Sequence, residues 1–214
     1  MIRRTHLVNL VILHLLVGAA GAAAAKEPVW ESAEARVTAV SGSRGTPHLV
    51  EILEFGFNQH VGLDAIWIEE SRDRPCRIYL VPKPLGEKSK AAKTIVSGCR
   101  ATLPLDLRWA SVGGSEHPRQ FIHGISTCNS KNKNNDRIKG VRVFGARVWK
   151  TAPRIDERVP LDLNLDHFEK TNCDKDTWTS PKFCDQGFVA AGLNVYREEE
   201  DIVGLALRCR QVGW

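Results

Sequence analysis

The chain has 214 residues, 30 basic and 25 acidic side chains, a net charge of +5 and 43% hydrophobic residues. That length suits one domain or two small ones. Leaving out Arg3 and Arg4, 28 Lys and Arg stand against 25 Asp and Glu, scattered and without interleaved aromatics, so nothing calls for a nucleic-acid partner.

The N-terminus is built in three parts. Arg3 and Arg4 are followed by an apolar stretch, Leu7 to Val17, broken by Asn9 and His14, and then by small residues ending in Ala23-Ala24-Ala25. This order predicts a signal peptide over residues 1–25, cleaved before Lys26. An uncleaved anchor is the alternative, since the stretch approaches the roughly 17 to 25 residues a span needs. Alanine adds little insertion energy, however, and Asn9 and His14 weaken the apolar core. The expected product is secreted or periplasmic, with no membrane span after cleavage. Its six cysteines, Cys76, Cys99, Cys128, Cys173, Cys184 and Cys209, all lie beyond the cleavage point. An even count in an exported chain reads as a disulfide framework, with 15 possible pairings. A structural metal is not expected, because no Cys-x-x-Cys and no closely spaced histidine pair occurs.

Beyond Lys26, apolar and polar residues alternate with period two. Ala35–Val40, Ala65–Glu69, Arg77–Val81, Ile138–Val148, Val159–Leu165 and Ile202–Cys209 read as half-buried strands. No long segment has a helical period. Asn129–Asp136 reads as a loop and Arg197–Asp201 as a hairpin turn. Candidate core positions are Ile125, Ile138, Val141, Val143, Leu193, Ile202, Leu205 and Leu207, with Lys139 and Arg142 turned to solvent.

The chain also repeats itself. Phe121-Ile122-His123-Gly124-Ile125 matches Val189-Ala190-Ala191-Gly192-Leu193, and after a polar stretch Asp136–Val143 matches Asp201–Leu207. His60–Ile66 is a weaker copy, and Pro-Leu-Asp-Leu occurs at Pro104–Leu107 and again at Pro160–Leu163. A lone hairpin cannot bury its apolar face, whereas three around a common axis can. The prediction is a single all-β domain over residues 26–214, made of three modules (about 30–100, 101–155 and 156–214). Gly62, Gly140 and Gly204 recur at equivalent places, as bulges or close approaches between sheets would require.

The last module carries Trp178, Cys184, Gly187, Gly192-Leu193 and Asp201-Ile202-Val203-Gly204-Leu205-Ala206-Leu207-Arg208-Cys209. This pattern resembles the vitelline membrane outer layer protein I family, most strongly over Trp178 to Cys209. The resemblance implies a β-prism of three sheets with a pseudo-threefold axis, stapled by disulfides. It also implies an extracellular role in a glycan-rich coat, with carbohydrate binding. Cys184 pairing with Cys209 follows from the same resemblance, and local pairing of the rest would join Cys76 to Cys99 and Cys128 to Cys173. The middle module lacks a cysteine after Val143, and the first lacks the Trp-to-Cys lead. Jacalin-type lectins are related prisms, but their sugar-site signature, an N-terminal glycine with a late Gly-x-x-x-Asp loop, is absent.

No nucleophile elbow, metalloprotease helix, P-loop or dinucleotide fingerprint occurs, so no catalytic residue and no cofactor is expected. Asp162, Asn164 and Asp166 alternate with leucines and share one face of a strand. They form a candidate ligand row, suited to sugar hydroxyls or Ca²⁺, and equally the wet face of a strand whose leucines are core. Glu198 to Asp201 offers a cation cluster or a solvated turn. Six tryptophans, Trp30, Trp67, Trp109, Trp149, Trp178 and Trp214, are expected to be mostly core, and any exposed one would be a sugar-stacking platform. The expected partners are glycans or cell-envelope polysaccharide. A purely structural secreted protein, or a hydrolase whose site is not local in sequence, are the alternatives.

Overall fold

Thirteen strands make up the described part of the chain. The computed structural model describes residues 29–30, 34–42, 50–55, 60–71, 74–84, 93–97, 106–112, 119–129, 137–148, 173, 178–199 and 201–213. The signal segment 1–25, Cys99, Trp149, Trp214 and the Asp162, Asn164, Asp166 row lie outside them. The strands are β1 (Val29–Trp30), β2 (Arg36–Val37), β3 (Ser41–Gly42), β4 (Val50–Glu54), β5 (Val61–Ser71), β6 (Arg74–Pro84), β7 (Lys93–Ser97), β8 (Asp106–Ser111), β9 (Gln120–Asn129), β10 (Ile138–Arg147), β11 (Lys182–Phe183), β12 (Phe188–Glu198) and β13 (Asp201–Gly213). All pairings are antiparallel, and no helix occurs among the described residues.

Three sheets result. The first is six-stranded, with the path β1-β13-β12-β4 and with β2 and β3 also on β13. The second is three-stranded, β10-β9-β11, and the third four-stranded, β7-β6-β5-β8. The architecture is an all-β, disulfide-stapled three-sheet prism. The sheets are not three consecutive segments of chain. Strands β1 to β4 join the C-terminal hairpin, and β8, which falls in the 101–155 module, pairs with β5. Short strands such as Arg36–Val37 have too few residues to show an alternation, so their distant partner could not be read locally. Within Ala35–Val40, only Arg36–Val37 is strand.

The inward faces share one apolar core. Leu63, Ile66, Ile68, Ile78 and Leu80 from the four-stranded sheet meet Ile122, Ile125, Ile138, Val141 and Val143 from the three-stranded one. Leu193, Val195, Ile202, Leu205 and Leu207 close it from the third side. All eight candidate core positions are among the buried residues. Lys139 and Arg142 are half-buried, and Arg142 lies 3.8 Å above the Trp178 ring.

Glycine permits the sheets to approach where the repeat placed it. A Cβ on Gly62 would stand 2.6 Å from the Phe121 ring, and one on Gly140 would stand 3.0 Å from the Trp178 ring. Gly42, at φ +95°, packs against Val203 and Gly204. Two disulfides are seen in full. Cys184 is bonded to Cys209, closing 25 residues of chain, and Cys128 to Cys173, closing 45. Cys209 lies across from Ala190, so Cys184 reaches it from beyond the end of β12. Cys76 is also disulfide-bonded.

Candidate functional site

The outward face of the four-stranded sheet is the most distinctive surface. Along β5, Ile66 and Ile68 enter the core, so Trp67 and Glu69 must point away from it. Along β6, Ile78 and Leu80 are inward, which turns Arg77 and Tyr79 outward. All four outward side chains are half-buried, and Leu107 on β8 is 42% exposed. Trp67 is thus not core, contrary to the expectation for most of the tryptophans. The alternation itself carried the signal, since A-I-W-I-E and R-I-Y-L-V put the aromatic on the opposite parity from the isoleucines.

Register arranges these residues in two parallel rows across the strands. Trp67 is paired with Trp109 on β8 and with Tyr79 on β6, and Tyr79 is paired with Thr94 on β7. Two residues along, Glu69 is paired with Leu107 and with Arg77, and Arg77 with Ser97. With strands about 4.8 Å apart, each row spans roughly 14 Å, and the rows are about 7 Å apart.

An ion pair lies within the second row. An Arg77 guanidinium N–H donates to Glu69 Oε2 at 2.9 Å. The Tyr79 hydroxyl is within electrostatic reach of both groups. Burial, then the bond to Glu69, pushes the Tyr79 hydroxyl above its ordinary value of 10.0, with Arg77 acting in the opposite direction. The bonds to Tyr79 and Glu69 raise Arg77 further, so it stays charged. The result, among the described side chains of β5 and β6, is the aromatic pair Trp67 and Tyr79 beside the ion pair Glu69 and Arg77.

Behind this face, at the end of the sheet, lies a fully buried ion pair. Lys83 Nζ donates to Asp64 Oδ1 at 2.8 Å and to the Gln120 carbonyl at 3.1 Å, and lies 5.7 Å from the centre of the Phe121 ring. Lys83 and Gly62 are register partners. The bare glycine therefore makes room for Phe121 beside the lysine. This cluster joins the four-stranded sheet to β9 and is structural.

Other polar groups are also turned inward. His123 is buried, and its Nδ1 donates to the Phe188 carbonyl at 2.9 Å. Ser41 is buried with its hydroxyl 3.0 Å from Thr127 Oγ1 and 2.6 Å from Thr179 Oγ1, partners that cannot act as a base. No cluster of three or more metal-ligating side chains occurs among the described residues. Glu198 and Glu199 are exposed at the tip of the β12–β13 hairpin. Trp178 is half-buried, forms a bridge with Cys128 and packs over Gly140, so it sits at the core's margin.

No family model and no curated protein matches this chain. Among solved structures, Calsepa lectin in complex with a bisected glycan aligns at 11% identity and a TM-score of 0.46, covering 81% of this chain and 96% of the lectin. A mannose-specific jacalin-related lectin from Morus nigra in complex with mannose aligns at 9% identity and 0.46, over 84% of this chain and 97% of its own. The mannose-binding lectin from Champedak gives 9%, 0.46, 83% and 98%. The three-sheet arrangement of this protein rests on its own strand pairings.

Proposed function

We propose that this is an exported, non-catalytic carbohydrate-binding protein of an extracellular coat or cell envelope, akin to the vitelline membrane outer layer proteins. In this reading the glycan lies on the outward face of the four-stranded sheet. The observation that carries the reading is the cross-strand pair of Trp67 and Tyr79, both half-buried and turned away from the core beside Glu69 and Arg77. Aromatic faces are suited to the apolar faces of sugar rings, and their polar tips keep such rings soluble and oriented. The Glu69–Arg77 pair supplies acceptors and donors for hydroxyls alongside. No base-activated nucleophile accompanies them on this face among the described residues, which favours binding over turnover.

The test is a glycan and cell-wall polysaccharide binding screen on the purified chain lacking residues 1–25. Saturable binding that is weakened in Trp67→Ala, with the melting temperature retained, is expected. No binding to any glycan at millimolar concentration would leave the structural reading instead, and turnover in a hydrolase panel would establish the enzymatic one.

A further inference from the structure

We propose that Cys173 is a site of thiol–disulfide exchange, at which a small monothiol of the glutathione class opens the Cys128–Cys173 bond and frees the Trp178 ring from its seat. This chemistry is independent of carbohydrate binding. It rests on a difference in burial between the two disulfides seen in full, and on what packs against one of them.

Cys184 and Cys209 are 3% and 1% exposed and belong to the main core. Cys128 is sealed as well, at 0%, but Cys173 is half-buried. Exchange begins when a thiolate attacks one sulfur of a disulfide and displaces the other. The attacking sulfur comes from the side away from the one that leaves. At Cys173 that path starts at the margin of the fold, whereas at Cys128, Cys184 and Cys209 it would cross buried side chains. The thiolate bonds to Cys173 Sγ, the bond between the cysteines breaks, and its electron pair leaves on Cys128 Sγ, which takes a proton from water. A second monothiol then attacks the small-molecule sulfur of the mixed disulfide. Cys173 is released as a thiol, and the two monothiols depart joined as their own disulfide. Two monothiols are oxidised and one protein disulfide is reduced.

Trp178 is placed to respond. The missing side chain of Gly140 leaves a recess shared by the disulfide and the indole: a Cβ there would stand 2.9 Å from Cys173 Sγ, 3.0 Å from the Trp178 ring and 3.3 Å from Cys128 Cβ. Arg142 covers the ring at 3.8 Å. In this seat the indole Nε1 is buried with no hydrogen-bond partner among the described residues, which works against the closed form. The backbone of the same stretch is held separately. Trp178 forms a bridge with Cys128, Thr179 N donates to the Thr127 carbonyl at 2.9 Å, and Ser126 Oγ donates to the Thr179 carbonyl at 2.7 Å. Opening the disulfide therefore leaves this stretch on β9, while the ring is free to turn and carry its N–H to water.

The experiment is timed treatment of the oxidised protein with reduced glutathione, followed by acid quench, alkylation and peptide mapping, with tryptophan emission recorded in parallel. Cys128 and Cys173 are expected to open about tenfold faster or more than Cys184 and Cys209, with the glutathione adduct on Cys173. Emission should move to longer wavelength in step with that opening. Trp178→Phe should open as readily but lose the emission change. Opening of both disulfides together, an adduct on Cys128, or a rate that does not depend on glutathione concentration would overturn Cys173 as the site of exchange. Opening with no emission change that depends on Trp178 would overturn the release of the ring.

Discussion

The two long hairpins of this protein use the same strand geometry for opposite ends. In β12–β13, residues 188–195 and 202–207 are buried without interruption, on both faces. Val189, Ala191 and Val212 meet Phe121 and Val148 in a second small apolar cluster, while their neighbours enter the main core. In β5–β6, residues 61–66 and 80–84 are buried on both faces as well, but over 66–69 and 77–80 the core takes only one face, and the other carries Trp67, Glu69, Arg77 and Tyr79, all half-buried. A strand with small or apolar residues at every position becomes the centre of a fold. A stretch with strict alternation and large aromatics on the outward parity leaves a face free of the core.

The sharpest way to break this contrast is to loosen the scaffold. Cys184–Cys209 ties the C-terminal hairpin back to the strand leading into it, and Cys128–Cys173 staples β9. Closing loops of 25 and 45 residues is worth about 3 to 4 kcal/mol each by the chain-entropy estimate. Stability of a typical domain is only about 5 to 15 kcal/mol. Thermal unfolding with and without reductant should therefore show a steep fall in melting temperature, or no folded protein at all. Reduced protein that melts like oxidised protein would show that packing alone suffices.

A second break is at the joint between the sheets. Lys83→Met leaves Asp64 buried without its cation, a change expected to cost about 3 to 5 kcal/mol. The double variant Lys83→Met, Asp64→Leu should recover most of that loss, because it removes both charges. Urea denaturation of the three proteins measures it. A harmless single variant would mean that Lys83 is not sealed from water as the structure places it.

Lys83 also shows where sequence reading stops. Nothing in Val81-Pro82-Lys83-Pro84 marks the lysine as buried, and only the register with Gly62 and the reach to Asp64 show it. The alternating strands, the repeat glycines and the eight core positions were legible, because parity and glycine spacing are local properties. The joining of β1 to β4 with the C-terminal hairpin was not, since strands of two to five residues carry no pattern and their partners are far along the chain. Tyr79, Glu69 and Arg77 were missed as site residues for another reason. Each is ordinary alone, and the row exists only once β5 and β6 are in register. The Asp162, Asn164 and Asp166 row falls outside the described residues.

A gentler probe addresses the outward face of β5 and β6. The Tyr79 hydroxyl is raised above 10.0 by burial and by Glu69, so the folded state favours its neutral form. That contribution is complete below the unfolded value and is lost as pH rises through the higher folded one. Ultraviolet titration of the native protein should show one tyrosine ionising later than the free side chain, and Glu69→Gln should bring it down. Ionisation of Tyr79 at the free value in the native protein would mean that the hydroxyl is neither buried nor held beside Glu69 in solution.

The most direct test of the central claim exploits parity within single strands. Trp67 and Tyr79 are immediate neighbours of Ile66 and Ile78, and only the face differs. The variant Trp67→Ala, Tyr79→Ala and the variant Ile66→Ala, Ile78→Ala should be measured side by side, by thermal melting and by polysaccharide binding. The inward pair should lower stability by about 2 to 5 kcal/mol per site. The outward pair should keep the protein folded with a small change in melting temperature and abolish binding. If the outward pair binds polysaccharide as well as the unaltered protein does, the outer face of the four-stranded sheet is not the binding surface.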